Sequence, residues 1–126
     1  MWCLLSAPLF IGANMEHIDP FTLSLITNNE VIAVDQDALG KAAALNLTLD
    51  NKVEIWTKDL YDGRLVIGLL NPTDREQAFD FSFSSIGKTD AYRVRDLWQK
   101  KNLGTHLKNI PCKIPPHGIS LITLKK

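Results

Sequence analysis

Two aspartates set two residues apart, Asp35 and Asp37, are the first groups in this chain with the residue types for paired acid and base work. In a strand, positions two apart point to the same side, and two carboxyls in different surroundings can be split into one ionised and one protonated group. They sit, however, in Val31-Ile32-Ala33-Val34-Asp35-Gln36-Asp37-Ala38-Leu39-Gly40, which reads as the exit from a helix into a turn. Their expected role is to cap and turn the chain. Asp90, in Lys88-Thr89-Asp90, is a third acid to weigh, and Gly87-Lys88 marks a turn there. His106 and His117 have no partners at metal-ligand or triad spacing, and Cys3 and Cys112 form no CxxC pattern. Trp56, Tyr61 and Trp98 could stack on a sugar ring, although packing in a core or between domains is the ordinary use of such side chains.

The elements that would position these groups change character along the chain. Pro8 suits the entry to a strand with Leu9 to Ile11 as its core, an apolar run of the fully buried parallel type. Asp19-Pro20 is a helix start, with Asp as N-cap and Pro at the first helical position. Phe21, Leu25 and Ile26 then line one face, and Asn28-Asn29 can end the helix. From about Leu45 the period becomes two. Val53, Ile55 and Thr57 alternate with Glu54, Trp56 and Lys58, and Asp62-Gly63 supplies type I′ turn chemistry before Leu65 to Leu70. Phe79, Phe81 and Phe83 form a one-faced aromatic stripe, and Tyr92 and Val94 alternate with Arg93 and Arg95. Further strands are expected through Thr105-His106-Leu107, up to Cys112 and Ile114, and from Ile119 to Leu124. Seven or eight short strands at this spacing predict a mainly β fold, an antiparallel β-sandwich of Greek-key type.

Composition agrees with a boundary. Residues 1–40 hold five acids and no Lys or Arg, while residues 41–126 hold fourteen bases and nine acids, so the two parts carry −5 and +5. The net charge of zero argues against nucleic acid or an anionic membrane as the main partner. No apolar run approaches the roughly 18 residues of a membrane span. The apolar start from Met1 to Ala13 resembles a signal peptide in outline, but no positive charge precedes it. The two cysteines assign no compartment, and two buried free thiols are the favoured reading over a long-range disulfide. Asn46-Leu47-Thr48 has the form of a glycosylation sequon.

Ala7-Pro8-Leu9-Phe10-Ile11-Gly12 and the Val31 to Lys41 segment together resemble the carboxyl-terminal part of the glycoside hydrolase family 27 α-galactosidases. So do Val53-Glu54-Ile55-Trp56, Arg95-Asp96-Leu97-Trp98 and Pro116-His117-Gly118, in the same order. The resemblance implies that residues 1–36 are the last strand and helix of a catalytic (β/α)₈ barrel. Residues 37–126 are then a C-terminal antiparallel β-sandwich domain. A complete barrel needs about 250 residues. The family's reaction is retaining hydrolysis of terminal α-galactosides, without metal or cofactor, by two aspartates on earlier barrel strands. Such chemistry needs two carboxyls about 5–5.5 Å apart. The family's nucleophile lies in a Lys-x-Asp motif. Lys88-Thr89-Asp90 matches its letters, but its place in a sandwich turn makes the match a coincidence, and the acid/base motif has no counterpart.

The resemblance therefore implies an α-galactosidase-like hydrolase portion that does no catalysis by itself. After the barrel strand the family often carries an Asp, which helps hold the sugar, and an Arg two residues later. Here those places hold Asn14 and Glu16, so Asn14 and Met15 are the candidates for substrate contact, and the sugar specificity departs from the family's pattern. The expected partners are α-galactoside sugars in the parent enzyme, and an upstream barrel fragment or a second copy that covers residues 1–30. The alternative is a stand-alone carbohydrate-binding or structural β-sandwich module built on the Trp and Tyr residues, with or without a signal peptide.

Overall fold

The structure is a computed structural model that describes residues 1–106 and 108–126. Leu107, the last residue of the strand expected through Thr105 and His106, lies outside the described residues. Among the described residues there are eight strands: β1 (Ala44–Thr48), β2 (Glu54–Asp59), β3 (Leu65–Leu70), β4 (Gln77–Ser82), β5 (Tyr92–Asp96), β6 (Lys101–His106), β7 (Asn109–Ile114) and β8 (Ile119–Lys125). Six of them form an antiparallel sheet in the order β1-β2-β3-β8-β5-β6, and β4 pairs with β7 in a second sheet. The chain crosses to the small sheet after β3, returns for β5 and β6, crosses again for β7, and inserts β8 between β3 and β5. This is the expected sandwich.

Period-two alternation divides the larger sheet into two faces. Ile55, Ile67, Leu69, Val94, Ile122 and Leu124 point inward and pack on Phe81, Phe83, Ile110 and Ile114 in one core cluster. Phe83 is fully buried and lies edge-on to both Phe81 and Tyr92, with ring centroids 6.0 Å apart in each pair, a favoured aromatic geometry. The turn between β2 and β3 differs from expectation. Leu60 N donates to Arg64 O at 2.9 Å and Gly63 N to Leu60 O at 3.0 Å, and of the Asp62-Gly63 pair only Gly63 has a positive φ, 82°. A two-residue type I′ turn needs both central residues at positive φ, so the loop is instead Tyr61 to Gly63, a three-residue turn closed by a left-handed glycine.

The outer face of the same sheet is covered by residues 1–36. As expected, Asp19 caps helix α1 (Pro20–Ile26), its side chain accepting from Thr22 N at 2.9 Å. Asn28 does more than end it. Its Oδ1 accepts from Glu30 N and Val31 N, which starts a second helix, α2 (Asn29–Asp35), and its Nδ2 donates to Leu97 O at 2.9 Å. Val31 and Val34 from α2 join Leu4, Leu60, Val66, Leu97 and Leu121 in the second core cluster. Leu4 seats over Gly68, where any Cβ would lie 2.4 Å from the Leu4 Cδ1.

The strand expected over Leu9 to Ile11 is not formed in this structure. Phe10 is 80% exposed and Ile11 55% exposed. A buried parallel strand needs hydrogen-bonded neighbours on both edges, and among the described residues no strand lies beside these. The part of the segment that docks on the β domain is Leu4, not the apolar run after Pro8.

Candidate functional site

Asn14 sits at the start of a single 3₁₀ turn, Met15–His17, and its Oδ1 accepts from Glu16 N at 3.1 Å. That bond fixes the amide's orientation and leaves its Nδ2 facing solvent as a donor. Met15 is 59% exposed beside it. The two candidates are thus together, accessible, and capable of one hydrogen bond and one apolar contact. Close by in the chain, an apolar groove of about 640 Å³ is lined by Trp2, Leu9, Phe10, Ile11, Leu25 and Trp98 among others. Neither Asn14 nor Met15 lines it.

Asp37 is tied into its connector, whereas Asp35 Oδ1 is buried and, among the described residues, has no hydrogen-bond partner. Asp37 accepts from Leu39 N at 3.0 Å and, through both oxygens, from Tyr61 N at 2.9 and 3.1 Å, tying the connector to the β2–β3 turn. Close to both aspartates lies a residue that sequence reasoning passed over. Lys58, on the outer face of β2, is 2% exposed. Its Nζ donates to Ser6 Oγ at 2.6 Å, to Val34 O, and to Cys3 O at 3.5 Å. Burial pushes the pKa of this ammonium below the usual lysine range, opposed by the Asp37 and Asp35 carboxylates. The signal in the sequence was only alternation: Lys58 shares the outward face of Trp56, which reads as solvated until another segment is known to cover it.

The remaining candidates have ordinary partners. Asp90 is exposed and pairs with Lys126, and Tyr92 Oη donates to it at 3.4 Å. The hydrogen bond from Lys126 lowers its pKa, so Asp90 is an ionised surface carboxylate. His117 bonds Asp74 Oδ1 at 2.8 Å in the turn before β8, and a His106 ring nitrogen meets Leu103 O at 2.8 Å. Among the described residues no cluster of ligands could hold a metal ion. Cys3 and Cys112 are unbridged and lie in different core clusters. Burial pushes the Cys112 thiol up to about 11, and raises Cys3 as well, so neither is an activated nucleophile. Trp56 and Trp98 are partly buried against the outer-face core, and Trp56 Nε1 donates to Glu54 Oε2 at 2.9 Å, whereas Tyr61 is exposed on its turn. The three do not share an open face.

Two antiparallel sheets with a helical cover make this an accessory-type β-sandwich, and its relatives say of which proteins. Residues 50–124 match the alpha galactosidase C-terminal beta sandwich domain. Alpha-galactosidase 2 of Arabidopsis thaliana is 30% identical over 128 aligned residues, covering 100% of this chain and 32% of its own. Alpha-galactosidase I from Mortierella vinacea superposes with a TM-score of 0.91 at 28% identity, covering 99% of this chain and 33% of that one. A β-L-arabinopyranosidase of glycoside hydrolase family 27 from Geobacillus stearothermophilus superposes with a TM-score of 0.88 at 27% identity, covering 99% and 28%. The chain belongs to the glycoside hydrolase family 27 α-galactosidases, and it spans about a third of the length of the relatives it matches.

Proposed function

We propose that this chain is the C-terminal portion of an α-galactosidase-like glycoside hydrolase that cleaves terminal α-galactosides with retention, and that the chain does no catalysis by itself. In this reading residues 1–36 belong with a catalytic barrel and residues 37–126 are the β domain. The observation that carries it is a contrast within one chain. The sandwich closes its own inner core, while Phe10, Ile11, Met15 and Phe21 stand 80%, 55%, 59% and 71% exposed on the segment that precedes it. An apolar strip of this kind marks an interaction site, and the occupant the reading assigns to it is the barrel. Asn14 and Met15 then face the sugar, the Asn14 amide donating to a hydroxyl. Glu16, in place of a basic residue, makes the identity of that sugar a matter for experiment.

The test is an assay of the purified chain on nitrophenyl α-galactoside and nitrophenyl β-L-arabinopyranoside, alone and after mixing with a separately expressed barrel portion of a relative. No turnover is expected alone, and turnover on one of the two sugars is expected in the mixture. Activity of the chain alone that disappears in Asp90→Asn would overturn the non-catalytic reading. A mixture that neither associates nor turns over would remove the barrel as partner.

A further inference from the structure

β5 and β8 pair in a register that sets Arg93 directly opposite Lys125 and Arg95 opposite Thr123. Alternation puts all four on the outer face of the larger sheet. Like charges directly opposite each other across a ladder repel. Arg93 and Lys125 are both exposed, and among the described residues neither makes an ion pair. They line a pocket of about 400 Å³ together with Asp62, Arg64, Arg95, Asn102 and Thr105.

The nearby carboxylates are already engaged. Asp62 Oδ2 accepts from Arg64 Nε at 2.7 Å. Glu30 accepts from Arg95 Nε at 2.7 Å and from its Nη2 at 2.6 Å. Asp62 also lies in the field of Lys125, without bonding to it. Arg64 and Arg95 are thereby paired, and the two adjacent cations Arg93 and Lys125 have no bonded carboxylate among the described residues, which leaves the site a net excess of positive charge.

We propose that this pocket binds a dianionic phosphoryl group, as free phosphate or as a phosphate monoester. Such a group carries roughly −1.5 to −2 charges at pH 7 and three acceptor oxygens, which matches that excess in amount. The planar fork of Arg93 suits two of those oxygens, and the Lys125 ammonium suits a point contact with the third. Asn102 Oδ1 accepts from Arg95 Nη1 at 2.8 Å, which orients the Asn102 amide and leaves its NH₂ as a donor in the pocket that Thr105 also lines. A carboxylate would neutralise only one of the two cations. The volume falls in the range of about 300–1,000 Å³ usual for small-ligand sites, room for a sugar ring behind the phosphoryl group. This site is independent of the catalytic reading, because none of its residues enters that argument.

The test is a low-ionic-strength NMR titration of the 126-residue chain with inorganic phosphate, with a hexose 6-phosphate, and with chloride at matched ionic strength. Phosphate is expected to shift the amides of Arg93, Thr105, Thr123 and Lys125 saturably, and chloride is not. Arg93→Gln and Lys125→Gln should each weaken phosphate binding by about tenfold, and Lys52→Gln, in the β1–β2 turn, should leave it unchanged. In phosphate-free buffer Arg93→Gln should raise the melting temperature while abolishing the rise that phosphate produces in the parent chain. Affinity for the hexose 6-phosphate should fall below about pH 6 as its phosphoryl group becomes a monoanion. Tighter binding of the hexose phosphate assigns the rest of the pocket to the sugar, and equal binding assigns the site to the phosphoryl group alone. Phosphate shifts no larger than those of chloride, or full affinity in both Gln variants, would overturn the proposal.

Discussion

The inner face of the larger sheet is closed by Phe81, Phe83, Ile110 and Ile114, all of them apolar and all contributed by residues 81–114. The outer face is covered by Leu4, Val31 and Val34 from the other end of the chain. Polar ties hold that cover at its rim: Lys58 to Ser6 and Val34, Asn28 to Leu97, Glu30 to Arg95, and Asp37 to Tyr61. The inner contact is apolar and non-directional. The outer contact adds directional bonds at fixed points to its apolar packing.

The sharpest test of that contrast is Phe83→Ala. It removes a side chain that is fully buried between two aromatic rings and should cost about 3–5 kcal/mol. In urea titrations followed by fluorescence and circular dichroism, the midpoints should fall together. If only one probe moved, the inner face would not be a single cooperative unit. Leu4→Ala, also a buried leucine, should cost about 2–3 kcal/mol. Its effect should be confined to one layer: amide exchange should quicken over residues 29–35 while β3 and β8 keep their protection. Global exchange in this variant would erase the distinction between the faces.

Lys58→Met probes the rim. It keeps much of the volume but leaves Ser6 Oγ, Val34 O and Cys3 O without their donor, a loss of about 1–3 kcal/mol, measured by the same urea titration. Glu30→Gln is expected to have the smallest effect, roughly 2 °C in melting temperature at neutral pH. The Arg95 hydrogen bond holds the Glu30 carboxyl below the usual glutamate range, against the burial that would raise it. A carboxyl with a depressed folded pKa contributes its stability above the unfolded value, near 4.3, and loses it as the pH falls through the lower folded value. The gap between Glu30→Gln and the parent chain should therefore hold at pH 7 and close below about pH 4, which melting curves across that range will show.

The sandwich was legible because each of its strands must show one face to the inner core. Alternation at Val53 to Thr57, at Phe79 to Phe83 and at Tyr92 to Arg95 identified strands whatever lay on their outer side. The cover was not legible in the same way. Lys58 reads as a solvated residue by alternation, and only the distant Ser6 and Val34 make it an internal one. Asn28 reads as a helix end, and the neighbours Glu30 and Val31 that it also caps turn out to start α2. The Leu9 to Ile11 run has the composition of a buried strand, yet strand formation is a property of neighbours, and composition cannot provide them. In the candidate site, Asn14 and Met15 rest on the resemblance alone, while the hydrogen bond from Glu16 N that orients the Asn14 amide depends on a turn too short to leave a pattern.

The seat of Leu4 over Gly68 couples two positions that lie 64 residues apart. A Cβ at position 68 would press on the end of the Leu4 side chain, which must then move aside or be shorter: a larger residue at 68 favours a smaller one at 4. Evolutionary drift at either place is then held back by the other. Across related sequences the pair should covary as size against size, with glycine at 68 accompanying a long aliphatic residue at 4. A lineage that has dispensed with the helical cover is released from that constraint, so a side chain fixed at 68 would record the loss in a single codon.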